Sequence, residues 1–116
     1  MEEQINKIIQ AINDFRESFS LKTLKRNTGL YEYGKSLALG SKAELQGNGN
    51  FVVTTINYFS EPIRSENVSD MMRRWVFDRQ KLNTITSFGN TIIIDTFIDE
   101  NGINQIFVVV ISVYKP

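Results

Sequence analysis

Histidine and cysteine are both absent from the 116 residues of this chain. Without imidazole or thiolate it cannot assemble a Ser-His-Asp or Cys-His relay, a thiolate zinc site or a histidine proton switch. An excess of one charge is also lacking, because 13 Lys plus Arg balance 13 Asp plus Glu. No global field therefore draws the chain to nucleic acid or to an anionic membrane surface. Long apolar runs are missing too. The longest, Ile106 to Ile111, falls far short of the roughly 20 residues that span a bilayer. The opening Met1-Glu2-Glu3-Gln4 is acidic and leads into an amphipathic stretch, so no signal peptide is read there and a soluble protein without membrane contact is expected. No internal repeat or linker divides the sequence, and residues 1–116 are read as one domain.

What is present is architectural. Ile5, Ile8, Ile9, Ile12, Phe15 and Phe19 recur at three-and-four spacing, which predicts an amphipathic helix over 2–19. Residues 20–33 carry Lys22, Lys25 and Arg26 without sustained periodicity, and read as a flexible basic connection. A strand pair is expected over 35–59, with Gln46-Gly47-Asn48-Gly49-Asn50 as its turn and Phe51 to Phe59 as its second strand. A helix over 66–82 follows, capped by Ser65 or Asn67, with Val68, Met71, Met72, Trp75 and Leu82 inward and an outward Arg74–Asp78 pair. The closing strand pair, 91–115, turns on Asp99-Glu100-Asn101-Gly102, and Asn-Gly between apolar runs is a strong hairpin signal.

The fold expected from these elements is α+β, in the order α-β-β-α-β-β. A four-stranded, mainly antiparallel sheet carries two helices on one face in two layers. In the last strand Ile106, Val108 and Val110 point one way, Phe107, Val109 and Ile111 the other. An apolar strand on both sides needs two covers. Two helices supply one, so Phe107, Val109, Ile111 and Val113 are expected to form an interface with another subunit. Trp75, Tyr58 and Phe51 are expected as core anchors.

Candidate chemistry is sparse. Asp95, Asp99 and Glu100 lie near the last hairpin, but the latter two are ordinary turn residues, and no metal or cofactor is assigned. Met71-Met72-Arg73-Arg74-Trp75 mixes basic and aromatic residues, yet helical spacing separates the arginines from the apolar stripe. Gly47 and Gly49 precede a strand, not the helix that a phosphate cradle requires. A small-molecule enzyme would have only Asp95, Tyr58 and Tyr114 to work with. No catalytic residue is assigned.

Phe51, Tyr58, Asn67, Trp75, Gln80 and Tyr114 fall in elements whose order resembles the phage tail terminators, the minor capsid or minor structural proteins of tailed phages. That resemblance implies a non-enzymatic virion protein of the tail or neck. Such a protein forms a homo-hexameric ring that stops growth of the tail tube and meets the head-tail connector. Its partners would be itself, the tail tube protein and the connector protein. Lys22, Lys25 and Arg26 would face a neighbour or the lumen through which DNA passes. The alternative is a small phage or mobile-element module that binds and inhibits a host protein.

Overall fold

The computed structural model describes residues 1–40 and 52–114. Helix α1 (Glu2–Ser18) buries Ile5, Ile8 and Ile12, while Glu2 and Glu3 sit in its first turn, where carboxylates complement the helix dipole. Strand β1 (Lys25–Arg26) is followed by a 3-10 turn (Thr28–Leu30) and helix α2 (Tyr31–Ala38). Strand β2 (Val52–Pro62) leads to helices α3 (Val68–Val76) and α4 (Arg79–Ile85), and the chain closes with strands β3 (Thr91–Ile98) and β4 (Asn104–Tyr114).

The four strands form one sheet in the order β1-β3-β4-β2. β4 runs antiparallel to both β2 and β3, and the short β1 pairs parallel with β3. The fold is thus α+β with a four-stranded, mainly antiparallel sheet. A shift in register between Thr54 and Asn57 interrupts the β2–β4 ladder, and Thr55 lies there at φ 53°, the signature of a bulge. At the β3–β4 turn Gly102 takes φ 78°, a conformation that costs glycine nothing.

Helices cover both faces of this sheet, which corrects the two-layer expectation. On one face α1, α3 and α4 enclose Phe59, Ile92, Ile94, Ile106, Val108 and Val110, with Trp75 at the centre. On the other, Tyr31, Tyr33, Leu37 and Ala38 of α2 pack with Ile93, Phe97, Phe107, Val109 and Ile111. α2 sits close because Gly34 has no side chain: a Cβ there would lie 2.6 Å from Ile93 Cγ2 and 3.0 Å from Phe107 Cε2.

Two boundaries also differ from expectation. Residues 35–38 belong to α2, so they form no strand with β2. The expected turn at 46–50 and Phe51 lie outside the described residues. The helix expected over 66–82 is broken into α3 and α4 at Phe77-Asp78, where the Asp78 side chain accepts from the Lys81 backbone N–H at 3.1 Å and starts a new helix. Asn67 caps α3 by accepting from Asp70 N–H at 2.8 Å.

The segment expected to be a flexible connection is tied down at several points. Asn13 of α1 uses both ends of its amide on Leu24, donating to the carbonyl at 3.1 Å and accepting from the N–H at 2.8 Å. Lys25 N–H donates to Asn90 carbonyl and Asn27 N–H to Ile92 carbonyl. A basic composition suggested solvation, but the backbone of 24–27 is needed to extend the sheet edge.

Candidate functional site

The densest arrangement of charge lies where β2 ends against α3 and α4. Glu61, the penultimate residue of β2, is only 5% exposed. Its carboxylate accepts from Trp75 Nε1 at 2.9 Å, Lys81 Nζ at 2.7 Å and Arg74 Nη2 at 2.6 Å. Burial by itself would raise the carboxyl pKa, since desolvation penalises the charged form. The hydrogen bonds from Arg74, Lys81 and Trp75 outweigh it and hold the pKa at about 2. Arg74 also donates from Nε to Glu66 at 3.0 Å and contacts the same carboxylate through Nη2. Glu66 is lowered by this bond, and Arg74 is raised by Glu66 first and Glu61 second. The expected Arg74–Asp78 pair is replaced by these contacts, because Arg74 reaches back over the strand end while Asp78 caps α4.

Around this cluster opens a cleft of about 660 Å³ whose walls include Arg64, Glu66, Asp70, Arg74, Asp78 and Lys81. Its lining mixes acids and bases. Beside it, between α1 and α3, runs an apolar groove of about 690 Å³ lined by Phe15, Val68, Met72, Val76 and Phe77. Phe77, at the break between α3 and α4, is 85% exposed. Asp14 stands on the α1 wall and Arg73 on the α3 wall.

The residues singled out in the sequence are dispersed. Phe107, Val109 and Ile111 are together, but each is 0% exposed beneath α2, and Val113 is partly buried beside them. They are core positions of a single chain, not an open interface; the missing cover is supplied by residues 31–38. Trp75 is a core anchor, fully buried and edge-on to Phe59 at 5.0 Å. Tyr58 is not: the residue is 37% exposed, and it contributes its backbone carbonyl to Gln80 Nε2 at 3.1 Å. Lys25 and Arg26 form β1, and Arg26 is paired with Glu2 at 2.5 Å and Asp95 at 3.5 Å. Lys22 is exposed. Asp99 directs its oxygens to its own turn, accepting from Asn101 N–H, Ile103 N–H and Gln105 Nε2. Glu61 and the groove beside Phe77 were missed. The Glu61-Pro62 strand ending was readable, but nothing local marked its carboxylate as buried.

No family model matches the chain, and no curated protein matches it. Among solved structures it is similar to an outer surface protein from Borrelia burgdorferi, at a TM-score of 0.67 with 10% identity, over 95% of this chain and 92% of that one. At that identity the likeness extends to the fold alone. Among the described residues no helix is long and apolar enough to cross a membrane.

Proposed function

We propose that this chain is a non-enzymatic assembly protein that works by docking against other protein surfaces, its first partner being a second copy of itself. The observation that carries the reading is Phe77, a large apolar side chain 85% exposed at the rim of the α1–α3 groove. Single exposed apolar residues are ordinary, but one flanking a groove of Phe15, Met72 and Val76 forms a contiguous patch. A sister molecule suits it because the walls carry Asp14 and Arg73, opposite charges on a chain of zero net charge. Two copies meeting there bring acid to base without like-charge repulsion. The charged cleft supports the same reading. Glu61, its pKa held at about 2 by its donors, stays ionised near neutral pH and is badly matched to proton transfer there.

In its finer form, taken from the resemblance to tail terminators, the assembly is a ring that caps a phage tail tube and joins it to the connector. The interface in this form is the Phe77 face, since Phe107, Val109 and Ile111 are occupied by α2. Native mass measurement across a concentration series, combined with negative-stain images, tests both levels. Closed rings are expected. A dimer lost on Phe77→Ser would keep the assembly reading and retire the ring. A monomer at millimolar concentration that binds one host protein tightly would overturn both in favour of an inhibitory module.

A further inference from the structure

Arg16, in the last turn of α1, is 1% exposed, yet among the described residues no carboxylate lies within ion-pair distance of it. Its Nε donates to Lys22 carbonyl at 2.8 Å, and Nη1 donates to the carbonyls of Ile85 at 3.0 Å and Ser87 at 2.7 Å. Carbonyl dipoles position the guanidinium but do not neutralise it. Burial accordingly pulls its pKa below the usual arginine value. Buried Glu61 has two cations, and partly buried Arg26 has Glu2 and Asp95. Buried ions are ordinarily paired, because desolvating a lone one is costly.

Nη2 of Arg16 makes no hydrogen bond among the described residues, and the residue lines a pocket of about 450 Å³. The pocket walls add Lys22, the hydroxyl residues Ser20 and Ser112, and the aromatic rims of Phe88 and Tyr114. Among the described residues no Asp or Glu lines it. Two cations, Lys22 and Arg16 with its Nη2 edge left over from the carbonyl contacts, and the hydroxyl of Ser20 form a donor-rich environment, suited to an acceptor-only ligand, while the Ser112 hydroxyl is turned to the Phe88 carbonyl at 3.5 Å.

We propose that this pocket binds a small oxyanion, a phosphate or a carboxylate, whose oxygens take the Nη2 donors of Arg16 and the charge of Lys22. The site is independent of the groove at Phe77 and of any assembly made there. Nitrogen-15 amide spectra of the full chain, titrated with inorganic phosphate or with acetate at constant ionic strength in chloride, read it directly. The expected result is saturating shifts of Gly89, Asn90 and Ser112 in the millimolar range. The anion that saturates first distinguishes a tetrahedral from a planar ligand. Lys22→Glu reverses one exposed charge without touching the core and is expected to weaken binding about tenfold; Arg16→Lys, if it folds, is expected to abolish saturation. Shifts that stay linear with both anions, or an affinity unchanged in Lys22→Glu, would overturn the proposal.

Discussion

The indole N–H of Trp75 donates to the Glu61 carboxylate at 2.9 Å, joining the fully buried aromatic of α3 to the end of β2. Trp75 thereby satisfies its one polar atom inside the core, and Glu61 gains a neutral donor beside its two cations. Replacing Glu61 by Gln keeps the shape but leaves Lys81 unpaired and Arg74 with Glu66 alone. Stripping one member from a buried charge cluster is expected to cost about 3 kcal/mol. Urea unfolding of Glu61→Gln measures it, and a loss under about 1 kcal/mol would show that the cluster is incidental to stability.

The same carboxylate sets an acid limit. Its pKa is lowered on folding from 4.5 to about 2, so the unfolded chain binds more protons between those values. The stability it contributes is complete above pH 4.5 and is lost as pH falls toward 2. A displacement of this size corresponds to about 3 kcal/mol. Glu66 is lowered as well and acts in the same direction. The slope of unfolding free energy against pH in this window is expected to flatten in Glu61→Gln; an unchanged slope would assign the acid sensitivity to other carboxylates.

Phe107 and Phe77 make opposite predictions. Phe107, at 0% exposure between α2 and the sheet, is expected to cost about 3–5 kcal/mol on truncation to Ala. Phe77→Ser, at an 85% exposed position, is expected to change stability by less than about 0.5 kcal/mol while abolishing self-association. Calorimetry and sedimentation of the two variants check this. Exchanged phenotypes would return the interface to β4.

Gly34→Ala places a methyl group 2.6 Å from Ile93 Cγ2. Alanine gains up to about 1 kcal/mol of helix propensity, but overpacking costs about 1–3 kcal/mol. The clash is against a branched side chain on a central strand, which has little room to move, so a net loss of stability is expected. Chemical denaturation showing a more stable Gly34→Ala would mean that α2 can ride higher on the sheet without losing its packing.

Asn13→Ala removes both bonds to Leu24 and is expected to destabilise by about 1–2 kcal/mol. Hydrogen exchange at the amides of Leu24 and Lys25 is expected to quicken more than exchange in β4. Uniform acceleration across the sheet would argue that the clasp is not local.

Local pattern carried much of the architecture. The stripe from Ile5 to Ile12 marked α1 to within one residue of its end, and the alternating runs about Asn101-Gly102 marked the β3–β4 hairpin. α2 was missed although Leu30, Gly34 and Leu37 stand at helical spacing, because residues from 35 onward were read as a strand and the close contact that Gly34 makes has no local signal. The parallel pairing of β1 with β3 had no local signal, since a two-residue strand is defined by its partner. The same blindness hid the site: Glu61 is 13 and 20 residues from Arg74 and Lys81, and Arg16 is 69 from Ile85.

The two-residue strand β1 has a consequence for how the chain reaches its native state. Lys25 meets Thr91 across most of the polypeptide, so loop-closure entropy delays this pairing while the β3–β4 hairpin closes early. During that interval the outer side of β3 at Thr91 and Ile92, the two residues that β1 pairs with, is a bare sheet edge. A Lys25→Pro substitution, which removes the N–H given to the Asn90 carbonyl while leaving α1 in place, would keep that stretch open, and an open edge recruits other strands into aggregates.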